Sequence, residues 1–215
     1  MIEAVEIPAR DGRVLRGQLR RGGTDWVVLV HDLGEDLDAW RSLAPALVER
    51  KLSVLAYDLR GHGGSDGEVD SSQTAADVAT VVAFARAEGA KRVYLGTAGR
   101  STRPAIEAGA AEGCEALFAL APVGEDLGRT PPLAKLAIAG SRDPEQDAAG
   151  TELARSPGWT VVIRVPLADP GCGMLEGNWA ANVRDYALTF LKQRRFGPAP
   201  TRPRHAPVRG ELRTP

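Results

Sequence analysis

The feature that most constrains this chain is a rhythm of short apolar runs alternating with helical patterns. Residues 26–30 read Trp-Val-Val-Leu-Val, a continuous apolar run of the kind a strand buried on both faces carries. Similar runs recur at 52–57, 92–96, 116–123, 135–140 and 160–165. Between them, residues 39–49, 72–88, 104–112 and 145–155 have helical spacing, and 179–194 closes the series with Asn178 before it as N-cap. Residues 78, 81, 82 and 85 place three valines and an alanine on one helix face. Strands alternating with helices imply βαβ units and a mainly parallel sheet with helices on both faces. Ahead of them, residues 3–8 and 14–20 flank Asp11-Gly12 and predict an antiparallel hairpin at the sheet edge.

The chain's 215 residues suit one such domain, and 43% apolar with 26% charged residues is an ordinary globular balance. A net charge of −1 argues against a nucleic-acid binder. Cys114 and Cys172 lie in no metal-binding or disulfide spacing, so neither a metal nor another cofactor is implied. No apolar run is long enough for a membrane span, and residues 1–10 lack the core of a signal peptide. The expectation is a reduced, cytoplasmic protein without membrane insertion. Its Arg-, Ala- and Gly-rich composition suggests a GC-rich bacterial genome.

Residues 1–195 form the expected domain. After them the pattern stops: residues 196–215 hold five of the 15 prolines and four arginines against one glutamate. Such a segment reads as a disordered, solvated tail, with a docking arm for a protein partner as the alternative.

In an open parallel sheet, sites form at the carboxyl ends of the strands. The first such loop reads His31-Asp32-Leu33-Gly34, and the next Asp58-Leu59-Arg60-Gly61-His62-Gly63-Gly64-Ser65. With Trp40 between them, these resemble the H-G-x-G loop and the D-x-R-G-x-G-x-S turn of the α/β-hydrolases, in particular the small esterase and lysophospholipase-like members. Asp32 departs from that pattern, which has glycine there. The order of elements matches over residues 1–194.

The resemblance implies a nucleophile elbow, G-x-S-x-G, after the third of these strands. Here it reads Gly96-Thr97-Ala98-Gly99-Arg100. Alanine at the nucleophile position can attack nothing. With no nucleophile to lift, the elbow is expected to relax, any positive φ falling on Gly99 rather than Ala98. Asp143, in Gly-Ser-Arg-Asp-Pro, matches the family's acid; it also reads as an N-cap followed by Pro144 at the first helical position. Pro170 stands at the histidine position, and proline transfers no proton. The triad positions are thus Ala98, Asp143 and Pro170. The resemblance further implies an oxyanion-type pocket at the N–H groups of Leu33 and Gly99.

Three histidines, His31, His62 and His205, limit any substitute chemistry. The rescue candidates are Ser101 or Thr97 served by His31; the blander readings are a helix cap, a side chain turned from the pocket and a turn histidine. Asp143 and Asp169 follow neighbouring strands and could share a divalent cation, but Arg100 pairing with one of them is the simpler expectation. Eleven residues, 124–134, lie where many α/β-hydrolases insert a lid, too few for a helical cap.

These residues favour a non-catalytic α/β-hydrolase-fold protein, a binding module or a subunit of a larger assembly. The alternatives are a weak esterase or peptidase with a relocated site, and a small-ligand sensor using the oxyanion-type pocket.

Overall fold

A computed structural model describes residues 1–197. The hairpin is β1 (Glu3–Pro8) and β2 (Val14–Arg20), turning through Gly12 at φ +84°. The remaining strands are β3 (Asp25–Val30), β4 (Leu52–Tyr57), β5 (Arg92–Ala98), β6 (Ala116–Leu120), β7 (Lys135–Gly140) and β8 (Thr160–Val165). They form one eight-stranded sheet in the order β1-β2-β4-β3-β5-β6-β7-β8. β2 runs antiparallel to β1 and β4; every pairing from β4 to β8 is parallel.

The helices are α1 (Ala44–Glu49), α2 (Thr74–Ala87), α3 (Thr102–Ala111), α4 (Pro144–Arg155) and α5 (Ala180–Phe196). Alternation along each strand splits the core in two. Val28, Val30 and Leu95 join Val78 and Val81 of α2, Ile106 of α3 and Leu153 of α4 on one face. Val27 and Leu29 join Leu47 of α1 and Val183, Leu188 and Leu191 of α5 on the other. Both faces of the central strands are therefore buried, which is why those strands are apolar throughout.

Several boundaries differ from the sequence reading for local reasons. Residues 39–49 are not one helix: a 3₁₀ turn, Leu37–Trp40, precedes α1, which restarts with Pro45 in its first turn. β6 ends at Leu120 because Ala121 takes φ +44°. Asn178 is no cap; Trp179 holds that position without a side-chain bond, and Asn178 sits in a 3₁₀ turn. α5 runs one residue past the expected domain end, to Phe196, and 198–215 lie outside the described residues, with them His205 and the tail's docking role.

Candidate functional site

β5 delivers the elbow, and two glycines set its path. A Cβ on Gly96 would lie 2.3 Å from the Phe118 ring and 2.6 Å from Leu29, so the strand packs only without a side chain there. Ala98 continues the strand at φ −134°, ψ 147°, and Gly99 takes the turn at φ +53°. The strained conformation has moved one residue downstream to the residue that tolerates it. Ala98 is fully buried.

That shift moves the donor pair. The N–H groups of Leu33 and Arg100, not those of Leu33 and Gly99, converge, each 2.8 Å from Asp32 Oδ1. Of the two donors expected for an oxyanion-type pocket, Leu33 bonds the Asp32 carboxylate, and the second N–H on that carboxylate is Arg100's rather than Gly99's. Asp32 fills the space above the turn so closely that a Cβ on Gly99 would meet its Oδ2 at 1.9 Å. Burial raises the Asp32 carboxyl above its usual range, against the opposing pull of the Arg100 and Leu33 N–H groups.

Glu35 extends the plug. Its Oε2 accepts the Asp32 N–H at 3.0 Å and its Oε1 the Cys172 N–H at 2.8 Å. Cys172 belongs to the 3₁₀ turn Gly171–Leu175 that follows Pro170, itself extended at φ −78°, ψ 155°. Two carboxylates therefore tie together the loops after β3, β5 and β8. Burial, with Glu35 beside it, pushes the Cys172 thiol well up, which disfavours the thiolate.

Neither rescue pair is assembled. His31 Nδ1 lies 2.7 Å from the Asp32 carbonyl, and Nε2 accepts the Leu59 N–H at 2.9 Å. The carbonyl can only accept, so the proton sits on Nδ1 and both ring nitrogens are committed. Burial lowers the imidazole pKa and holds it neutral. Ser101 Oγ donates to the His31 carbonyl at 2.7 Å, to the backbone and not to the ring. Thr97 is fully buried on the face opposite Ala98, its hydroxyl without a partner among the described residues. His62 is a turn histidine, its Nδ1 3.0 Å from the Arg60 carbonyl and its Nε2 accepting the Gly34 N–H.

Asp143 caps α4. Its Oδ1 accepts the N–H groups of Glu145 and Gln146. Gln146, fully buried, donates from Nε2 to Asp143 Oδ2 at 3.2 Å and to the Asp169 carbonyl at 3.1 Å, and accepts the Gly140 N–H. The amide, not a cation or a guanidinium, joins the Asp143 and Asp169 loops. The expected Arg100 ion pair with Asp143 or Asp169 does not form among the described residues. Arg100 instead lines a cleft of about 410 Å³ with Leu33, Arg103, Pro104 and Val123, on the side of α2 and α3. No group of three or more His, Cys, Asp or Glu among the described residues could hold a metal ion.

The glycine-rich turn after β4 is structural throughout. Asp58 accepts the N–H groups of Leu37 and Gly64. Arg60 makes a bidentate bond to buried Asp77 of α2, 2.7 Å on each arm, and reaches Asp11 at 2.9 Å.

The eight-stranded order, the hairpin, the β5 turn and the direct β6–β7 crossing decide the fold. This is a lidless α/β-hydrolase fold. A family model described as serine aminopeptidase, S33, matches residues 24–117 of the chain. An α/β serine hydrolase without lid from Xanthomonas campestris superposes with a TM-score of 0.73 at 20% identity, covering 93% of this chain and 97% of that one. The Pyrococcus furiosus esterase Pf2001 gives 0.72 at 18% identity, covering 90% of each. DcsB, in complex with a substrate analogue, gives 0.78 at 12% identity, covering 90% of this chain and all of the other. No curated protein sequence matches. Between β6 and β7 the α/β-hydrolase fold here carries only the 3₁₀ turn Leu127–Arg129. No described helix is long and apolar enough to cross a membrane.

Sequence reasoning named Asp32 only as a departure from glycine and missed Glu35 and Gln146. The Asp32 substitution was the one signal for the plug. Nothing in the spacing links Glu35 to Cys172, 137 positions away.

Proposed function

We propose that this α/β-hydrolase-fold protein does not hydrolyse esters or peptides and acts as a binding module or as a subunit of a larger assembly. The observation that carries the reading is the Asp32 carboxylate seated on the Leu33 and Arg100 N–H groups. In acyl transfer such a donor pair stabilises the oxyanion that develops in the transition state. A resident carboxylate both occupies the donors and repels incoming negative charge. Ala98 and Pro170 at the nucleophile and base positions support the same conclusion. Loss of triad members alone costs on the order of 10⁴–10⁶ in turnover, and the residue that remains comes from the hole and from binding. With the hole filled, that residue goes too. The same contact argues against a sensor built on an open oxyanion-type pocket.

The test is a fluorophosphonate probe on the full chain, with p-nitrophenyl ester turnover alongside. The expected result is no stoichiometric adduct and no turnover above buffer. An adduct mapped to Ser101 by peptide mass would overturn the proposal.

A further inference from the structure

The cleft of about 410 Å³ on the side of α2 and α3 is lined by none of the triad positions Ala98, Asp143 and Pro170. Its walls sort by chemistry. Leu33, Ala75, Pro104 and Val123 make them largely apolar. Ser101 also reaches the wall, but its hydroxyl is committed to the His31 carbonyl at 2.7 Å. Thr74, the first residue of α2, differs. It lines the cleft and is only 4% exposed, yet its hydroxyl has no hydrogen-bond partner among the described residues. A polar group buried to that degree normally has one.

The charges of the wall are unequally met. Arg103 bonds Glu107 at 3.0 Å and lies 3.7 Å from Asp126. Arg100 holds Asp32 through its backbone N–H, while its guanidinium forms no ion pair among the described residues. α3 begins beside it with no side-chain cap and no acid in its first turn, so the positive end of the helix dipole is not compensated there. An unpaired guanidinium, a buried hydroxyl without a partner and apolar walls therefore share one concavity.

We propose that this cleft binds a small monocarboxylate with a compact apolar body. The carboxylate takes the two-pronged fork of Arg100 and accepts the Thr74 O–H, and the apolar body lies on Leu33, Ala75, Pro104 and Val123. One negative charge matches one unpaired guanidinium. A second would face Glu107 and Glu125, the acids of the same wall. The volume lies near the lower end of the range for small-molecule clefts, roughly 300–1,000 Å³, and suits a compact body rather than a long chain. Binding leaves the Asp32 contacts in place, so the site stands whether or not esters turn over.

The experiment titrates the full chain with cyclohexanecarboxylate, followed by calorimetry and by backbone amide shifts. Cyclohexanecarboxamide and inorganic phosphate are the controls. Cyclohexanecarboxylate should saturate a single site, with the shift changes centred on Leu33, Ala75 and Val123. The carboxamide lacks the charge and phosphate lacks the apolar body, so each should bind about tenfold more weakly or worse. Arg100→Gln changes an exposed side chain and should cost about tenfold in affinity. Thr74→Val keeps the shape and removes an unpartnered hydroxyl, so it should weaken binding without lowering Tm. Absence of saturable binding overturns the proposal, as does a carboxamide or phosphate that binds as tightly as the carboxylate. Shift changes centred away from the cleft overturn it, and so does a folded Arg100→Gln with the parent's affinity. If Thr74→Val does not fold, Arg100→Gln and the carboxamide decide.

Discussion

The Asp32 carboxylate accepts the Arg100 N–H at 2.8 Å and so locks the loop after β3 onto the turn after β5. On the reading proposed above, the contact puts an internal anion where a hydrolase of this fold would generate one during turnover. It also has an energetic consequence. Asp32→Ala would take the acceptor from the part-buried Leu33 and Arg100 N–H groups, at up to about 1 kcal/mol each where water replaces it. Asp32→Asn keeps an acceptor oxygen and avoids burying a charge, so it should cost less. Urea denaturation of the three proteins gives the ranking; an Asp32→Ala variant as stable as the parent would show the contact to be energetically idle.

Putting a hydroxyl back at the elbow should not restore chemistry. Ala98→Ser places an oxygen on extended backbone, with proline where the base would stand and Asp32 on the donor pair. We expect Ala98→Ser to remain unlabelled by a fluorophosphonate and without esterase turnover. Labelling should require at least Asp32→Gly and Pro170→His in addition. Labelling of the single variant would show that the plug leaves room for an oxyanion.

The buried imidazole of His31 predicts an acid-side loss of stability. Its pKa in the fold is lowered below the usual 6.5 by burial. Above 6.5 both folded and unfolded chains hold the neutral ring. As pH falls through 6.5 toward the folded value, the unfolded chain takes up a proton that the fold refuses, and stability drops by up to about 1.4 kcal/mol per pH unit. Asp32, with its pKa raised above 3.8, has the opposite sign: between 3.8 and its raised value, stability falls as pH rises. Denaturation at about pH 7.5 and about pH 5.5 separates them, because His31→Gln should remove the loss between those points while Asp32→Asn should not. An unchanged difference in His31→Gln would rule out His31 as its source.

How much of this was legible in the sequence follows from the range of each interaction. The hairpin, β4, β7 and β8 could be bounded to the residue because strand patterning and turn residues are local. The missing nucleophile and base were legible because they are residue identities in a recognisable motif. The Asp143 cap was legible because the Asp-Pro-Glu order carries it. The plug was not. It depends on where the Asp32 side chain swings, on the one-residue shift of the elbow to Gly99, and on Glu35 reaching Cys172 from a distant loop. The Arg100 ion pair failed for the same reason: the Arg100 side chain lines the cleft beside α2 and α3, while Gln146 bonds the Asp143 carboxylate and the Asp169 carbonyl.

Arg60 ties the glycine-rich turn to α2 and to the hairpin, and its removal should be the most damaging of these changes. Its guanidinium holds both carboxylate oxygens of Asp77, which is 1% exposed, and one of Asp11. Both Asp77 bonds raise the arginine's pKa, so it stays charged throughout the accessible range. Arg60→Ala would leave the Asp77 charge buried and unpaired, a loss of roughly 3–5 kcal/mol. Arg60→Lys keeps a charge but not the planar fork, so it should fall between the two. The double variant Arg60→Met/Asp77→Leu removes the unpaired charge and should recover much of the loss. If the single and double variants are equally unstable, the damage comes from lost packing around the turn rather than from an orphaned carboxylate.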